Sequence, residues 1–233
     1  MTVTALIPAH NEAERVGATV SAARSVPMID RVVVIDDGST DNTTVVAAAA
    51  GAEVVRVPVN RGKGGALQAG LDLVREATDV LLLLDADLGE SACEAALLLS
   101  PVLDGQADMA IAVLPRPAGS GGIGLVKTLA RWGIARLGPF DAQAPLSGQR
   151  ALSRRAWEAA TPFADGFGVE VALTVHVARA GLTIAEVPTA MRHAATGRDI
   201  PGFMHRGRQF IAVARTLVRL ALGRQSAAGP KTG

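Results

Sequence analysis

Two aspartates one residue apart, Asp85 and Asp87, end the stretch LLLLDADLGE (81–90), with Glu90 close behind. Residues i and i+2 of an extended segment face the same side, so this spacing lets both carboxylates reach one hard cation. Mg²⁺ or Mn²⁺ held by one or two carboxylates takes its remaining ligands from substrate phosphate and water. Such an ion would grip a diphosphate and neutralise it as a leaving group. An isolated pair of this kind is equally what a polar strand end looks like, because acids are common where loops begin.

The elements around the pair separate the two readings. VTALIPA (3–9) is a short apolar run stopped by Pro8 and reads as a first buried strand. Asn11 is placed to cap a helix with Glu12 and Glu14 in its first turn and Val16, Val20 and Ala23 at helical spacing. RVVVIDDGSTDNT (31–43) repeats the pattern: a β-branched strand, an acidic turn with Gly38, and a helix capped by Ser39, Thr40 or Asp41. That helix stops at Gly51, a third strand covers 53–57, RGKGGALQAGLDLVREAT supplies a loop and a helix, and DVLLLLDAD (79–87) is the fourth strand. This alternation predicts an α/β fold: one domain with a mostly parallel, Rossmann-like sheet sandwiched by helices. A sheet covered on both faces also explains why the leucines run on without alternating. The ligand crevice of such a sheet lies beyond the carboxyl ends of its strands. PAHNE, DDGST, NRGKGG and DADLGE each follow a strand, so four polar loops should converge on one rim, which favours the cation-binding reading.

The second half is less regular. Pro115, Pro117 and AGSGG (118–122) make a loop, and 123–138 has the spacing of an amphipathic helix. GPFDAQAPLSG precedes QRALSRRAW, a short strand and helix start; 168–181 is a helix closed by Gly181, and 182–193 a strand leading to His193. A basic, glycine-broken stretch (192–208) leads to a last helix, QFIAVARTLVRLALG, with Arg208, Arg215 and Arg219 near one face. That helix either packs on its own domain or rests on an anionic membrane. We expect one domain over 1–222, a nucleotide-binding half (1–100) and an acceptor half (101–222), followed by a flexible tail (223–233).

Over 233 residues, 49% hydrophobic and 19% charged with a formal net charge of +1, the composition suits a soluble enzyme or binding protein rather than a disordered or nucleic-acid-coating one. A single cysteine, Cys93, excludes an intramolecular disulfide framework and a cysteine-based zinc cluster. MTVTALIPAH has no basic leader region, and no run approaches the ~18–20 apolar residues that span a bilayer. The expected setting is the cytoplasm.

LIPAHNEAERVGATV, VVVIDDGSTDNT, NRGKGGALQAGL and LLLLDADL, in this order, resemble the nucleotide-binding half of family 2 glycosyltransferases with the GT-A fold. The segment 145–193, from PLSGQRALSRRAW to PTAMRH, is similar to the acceptor half of the glucosyl-3-phosphoglycerate synthases, which are retaining enzymes, and less closely to dolichol-phosphate-mannose-synthase-like proteins. The resemblance implies that Pro8, Ala9 and Glu12 line a nucleotide pocket, that Asp37 and Asp36 hydrogen-bond the base, and that Lys63 places a point charge near the nucleotide. Asp85, Ala86 and Asp87 would be the D-x-D motif, with Asp87 the main metal ligand and Asp85 a ribose or metal contact. His193 would close the metal site from the far half, because Gly89 stands where dolichol-type proteins carry a metal-binding glutamine. Glu170 in GFGVE would hold sugar hydroxyls, and Ser147 and Gly148 of PLSG would face the acceptor. Without that context, Lys63 reads as a solvated lysine, His193 as a surface histidine and Glu170 as an arginine partner.

One departure concerns the acceptor. The phosphoglycerate enzymes carry an arginine in the glycine-rich loop, where this chain has Ile123. Arg192, Arg198, His205, Arg206 and Arg208 form another basic set, either a grip for an acceptor's carboxylate or phosphate or a solvated face.

The resulting expectation is a metal-dependent hexosyltransferase using Mg²⁺ or Mn²⁺. Its donor would be UDP-glucose, with GDP-sugars as the alternative, and its acceptor a small anionic hydroxylated molecule, glycosylated with retention. Inversion would need a carboxylate base, for which Asp165 and Glu170 are the candidates. The rivals are a polyprenyl-phosphate glycosyltransferase at the membrane face, a nucleotidyltransferase and a non-catalytic nucleotide-sugar-binding protein. The nucleotidyltransferase is disfavoured because PAHNEAER lacks the glycine-rich phosphate loop. A homodimer and peripheral membrane contact are compatible with the sequence; nucleic acid is not expected.

Overall fold

The structure is a computed structural model that describes residues 1–115, 124–193 and 200–223, with the backbone alone over 200–208. Its strands are β1 (Val3–Ala9), β2 (Arg31–Asp37), β3 (Glu53–Val57), β4 (Val80–Leu83), β5 (Met109–Val113), β6 (Arg150–Ser153) and β7 (Ile184–Pro188). The helices are α1 (Val16–Arg24), α2 (Thr43–Ala49), α3 (Gly62–Val74), α4 (Ala95–Leu103), α5 (Gly124–Leu137), α6 (Arg154–Ala160), α7 (Val169–Arg179) and α8 (Ile200–Ala221). All seven strands join one sheet in the order β3-β2-β1-β4-β6-β5-β7. Pairing is parallel throughout except at β6, which runs antiparallel to both β4 and β5. This is the α/β, helix-sandwiched, mostly parallel sheet that the alternating pattern predicted.

The leucine run shows why the alternation expected of a half-exposed strand is absent. Val80, Leu82 and Leu84 join Ile7 and Val34 in a core layer closed by α1 and α4 through Val16, Val20, Leu98 and Leu99. Leu81 and Leu83 join Leu6, Val33 and Ile35 on the opposite face, under α3, α6 and α7 through Leu67, Leu71, Trp157 and Leu173. All five residues from Val80 to Leu84 are at most 2% exposed. Removing each such side chain from water contributes about 1.5–3 kcal/mol, so β4 is anchored on both faces and the position of its carboxyl end is fixed. A third, smaller cluster ties α5, α7 and α8 together through Ile134, Val175, Val213 and Leu217. Among the described residues, no helix is long and apolar enough to cross a membrane.

Several local expectations need correction. Asn11 does not cap a helix. It sits in the left-handed region at φ 56°, and α1 begins only at Val16 with no side-chain cap. Asn11 is used instead across the rim, where its Oδ1 accepts a hydrogen bond from the Thr40 N–H. At α2, Asp41 supplies the capping bond expected of that cluster, accepting from the Thr43 N–H at 3.0 Å, although Asn42 occupies the cap position. The last helix starts at Ile200, earlier than the apolar periodicity suggested. The strand before His193 ends at Pro188, so His193 is carried by a loop. The glycine-rich loop with Ile123 (116–123) and the tail from 224 onward lie outside the described residues.

The sheet's second half is clamped to the first at α3, where Gly64 lies against the backbone of Ala164 and Asp165. A Cβ on Gly64 would run into the carbonyl oxygen of Ala164, a backbone atom that no rotamer change can move. Gly64→Ala should therefore destabilise the fold by about 1–3 kcal/mol through overpacking, read as a lowered urea midpoint. An unchanged midpoint would show that α3 is not clamped there.

Candidate functional site

Because β1 to β4 run parallel, the loops that follow them leave the same sheet edge, and they are stitched to one another. His10 Nδ1 lies 2.8 Å from the Asp37 carbonyl oxygen, and the Asn11 N–H donates to Ser39 Oγ at 2.9 Å. The two carboxylate oxygens of Asp37 accept from the N–H groups of Arg61 and Gly62, each at 2.8 Å. Burial pushes the Asp36 carboxyl up, but hydrogen bonds from Ser39 and Thr44 outweigh it, leaving the pKa below the ordinary carboxylate range. Both acids of DDGST are thus engaged in holding loops, and any contact to a nucleotide base must share those bonds. Pro8 and Ala9 end β1, with Ala9 3% exposed. Glu12 takes Thr43 Oγ1 on its N–H and pairs with Arg15; burial, opposed by that pairing, raises its pKa.

The D-x-D lies in a turn just beyond β4 rather than in the strand. Within that turn the Ala86 carbonyl accepts from Thr19 Oγ1, which in turn accepts from the Gly89 N–H. One oxygen each of Asp85 and Asp87 and one ring nitrogen of His193 lie within 4.8 Å of one another. His193 Nδ1 is 2.9 Å from Asp87 Oδ1, and its Nε2 is 3.9 Å from Asp85 Oδ2. The hydrogen bond to Asp87 holds the imidazole pKa above its ordinary value, against the effect of burial. Two carboxylates and an imidazole are a suitable donor set for a divalent cation, which would displace that proton on binding.

His193 reaches the D-x-D because its loop is laced to the turn that follows it. The Ala190 N–H donates to Glu94 and the Arg192 N–H to Ser91 Oγ, both at 3.0 Å, while Met191 is fully buried.

The antiparallel strand brings in a second set of contacts. The register Leu83 opposite Arg150 carries Gln149 and Gly148 onto the D-x-D, and the Gln149 amide donates to Asp85 Oδ2 at 2.6 Å. A Cβ on Gly148 would collide with Lys63 Nζ and both Asp85 oxygens. Lys63 donates to Asp85 at 2.5 Å and to Glu170 Oε1 at 2.8 Å. Burial alone would lower the Lys63 pKa; Asp85 and Glu170 more than reverse this, and the ammonium is kept charged well above its ordinary range. Fully buried Arg150 bonds the Ser147 carbonyl through Nε and Thr174 Oγ1 through Nη1, both at 2.8 Å. Burial lowers its pKa to about 10, so it stays charged near neutrality.

Asp85, Asp87, His193, Lys63, Glu170 and Gly148 therefore come together. Ser147 stands one residue away, its hydroxyl 3.2 Å from Gln149 Oε1, and Arg192 is exposed beside His193. Asp165 does not join them. Its side chain is 81% exposed and lies 3.5 Å from Arg219 of α8, which removes it as a neighbour of the D-x-D. Arg198 lies outside the described residues, and for His205, Arg206 and Arg208 the backbone alone is described. Sequence reasoning missed Gln149 and Arg150. Their place depends on β6 running antiparallel next to β4, for which a short four-residue strand carries no periodic signal.

A model of the family "Glycosyl transferase family 2" matches residues 4–136. Glycosyltransferase AglJ of Haloferax volcanii is 33% identical over 202 residues, covering 83% of this chain and 64% of its own length. The glucosyl-3-phosphoglycerate synthase of Mycobacterium tuberculosis is 31% identical over 216 residues, covering 82% and 66%. The chain thus spans just under two thirds of each of these relatives. The Mycolicibacterium smegmatis protein of the same name is 33% identical over 91% of this chain and 76% of its own. Crystal structures of the M. tuberculosis synthase superpose over 98% of this chain and 83% of theirs at 28% identity. The TM-score is 0.80 for the complex with phosphoglyceric acid and 0.79 for that with Mn²⁺, UDP and glucosyl-3-phosphoglycerate.

Gln149→Ala removes the amide that orients Asp85 while leaving Asp85, Asp87 and His193 themselves in place. It should weaken Mn²⁺ binding about 10–100-fold by calorimetry, measured well below the melting temperature of the variant, which loses a fully buried, hydrogen-bonded side chain and should melt lower. Unchanged Mn²⁺ affinity would separate Gln149 from the centre.

Proposed function

The chain belongs to glycosyl transferase family 2, and from that premise we propose that it transfers glucose from UDP-glucose to a small anionic hydroxylated acceptor. The observation that carries this reading is the gathering of Asp85, Asp87 and His193 within 4.8 Å beside the Lys63–Glu170 pair. It is supported by relatives named glucosyl-3-phosphoglycerate synthase, and by similar structures solved with Mn²⁺, UDP-glucose and phosphoglyceric acid.

Asp87, Asp85 and His193 would hold Mg²⁺ or Mn²⁺, which when bound neutralises the charge growing on a departing diphosphate. The remaining work falls to this chain's own groups. Lys63 is a permanent cation fixed by two acids, and so adds positive potential beside the leaving group at no cost in reorganisation. Glu170, 6% exposed, gives Oε1 to Lys63 and has its second oxygen for a sugar hydroxyl. Gly148 lets the Lys63–Asp85 pair sit against the backbone, where any side chain would displace it. Ser147, Gly148 and exposed Arg192 would meet the acceptor, Arg192 through its anionic group. The halves 1–100 and 101–222 would divide the donor and acceptor roles.

Retention is the finer reading. Of the two carboxylates that could act as an inverting base, Glu170 is committed to Lys63, and Asp165 points away toward Arg219. A second reading, a polyprenyl-phosphate acceptor at a membrane face, has one observation in its favour. α8 exposes Phe210, Ile211 and Val218 while its other face packs through Val213 and Leu217. Co-sedimentation with anionic vesicles, abolished by Ile211→Glu with Val218→Glu, would support it.

Two measurements test the main reading. UDP-glucose with Mn²⁺ should raise the melting temperature, by the binding linkage, and Asp87→Ala should remove the metal-dependent part of the rise. A rise undiminished in that variant would refute the site. The ¹H NMR spectrum of the product should show the donor's α configuration; a β product would replace retention with inversion.

A further inference from the structure

A second cavity lies behind the Lys63–Glu170 pair. It encloses about 600 Å³ between α3, the segment 161–165, α7 and α8. Residues two apart on a helix are about 200° apart around its axis. So α3 turns Lys63 to the D-x-D and Gly65 to the cavity, and α7 does the same with Glu170 and Ala172. None of Asp85, Asp87, His193, Lys63 or Glu170 borders this space.

Its lining is unlike that of the D-x-D centre. Arg61, Arg179, Arg219 and His176 face a single acid, the exposed Asp165. The Arg61 side chain has no hydrogen-bond or ion-pair partner among the described residues. The Arg179 guanidinium donates to the carbonyls of Leu137 and Leu220, which fixes it at the opening. The three arginines are exposed, whereas Phe163 and Ala172 are 6% and 2% exposed and form the deep wall. Small-molecule sites usually occupy ~300–1,000 Å³, with apolar walls and a few placed polar groups. Basic groups at the opening over an apolar interior favour a ligand with a negative head and an apolar body.

We propose that this cavity is a second ligand site, separate from the D-x-D centre, for a small amphipathic anion bearing a carboxylate, sulfonate or phosphate group. The probe is 8-anilinonaphthalene-1-sulfonate, titrated by fluorescence into the metal-free full chain. Saturable one-to-one binding is expected, weakened at least tenfold by Arg61→Glu with Arg219→Glu. The substitution Ala172→Phe, which fills the cavity, should do the same. The uncharged N-phenyl-1-naphthylamine should bind at least tenfold more weakly, and Asp87→Ala and His193→Ala should change the dye's affinity less than twofold. The two arginines are exposed, so circular dichroism of that pair should be native, and it decides the matter if Ala172→Phe fails to fold. Affinity unchanged in the arginine pair would place the dye on exposed α8 residues such as Ile211 and Val218, and overturn the proposal. A tenfold change in Asp87→Ala or His193→Ala would move the dye to the D-x-D cleft and overturn it equally. The titration uses neither donor nor metal, so its failure leaves the glycosyltransferase reading intact.

Discussion

Lys63 lies between Asp85 and Glu170, and this one ammonium lets two acidic segments from opposite halves of the chain meet in a sparsely hydrated place. Asp85 comes from the end of the most apolar strand and Glu170 from the first turn of a helix that is buried almost throughout. Lys63 offsets the burial of Asp85, since removing a lone charge from water costs several kcal/mol. With Lys63 between them, burial and attraction act in opposite senses on Asp85 and Lys63, and attraction prevails: the Asp85 pKa lies below its ordinary value and the Lys63 pKa above. Gly148 is the steric counterpart of this arrangement, since any side chain there would occupy the space of the ion pair.

From that centre the rest of the rim can be understood as scaffolding. The acids of DDGST hold loops, Thr19 holds the D-x-D turn, and Ser91 with Glu94 holds the segment that delivers His193. Most of these bonds join residues far apart in sequence, so the fold itself fixes the groups that the proposed function assigns to a cation and a diphosphate. That is the condition under which fixed charges lower a barrier without reorganising during the reaction.

The first hundred residues were largely legible because every level of the sequence agreed. Apolar runs of the right length, glycine stops and polar clusters after each strand all implied one parallel sheet with one functional edge, and β1, β2 and β3 lie where those runs were read. Legibility failed where long-range contacts overrode local signals. Asn11 has the chemistry of a helix cap, yet its left-handed backbone serves Thr40 across the rim. Asp165 looked as able a base as Glu170, and only the packing of α8 shows that it faces elsewhere. Gln149 and Arg150 were invisible as site residues because neighbouring β4 and β6 are separated by more than sixty residues of chain. Resemblance to a family supplied His193, which no spacing rule could have joined to a motif 106 residues away.

The reversed direction of β6 also bears on how the molecule comes into being. A chain emerging from the ribosome completes β1 to β4 early, but the free side of β4 stays without its hydrogen-bonding neighbour until Arg150–Ser153 has been made. Until then the nascent sheet presents an apolar, unpaired edge, the kind that invites pairing with another chain. The brevity of that edge, four residues in β4, keeps the interval of exposure from becoming a broad template for aggregation.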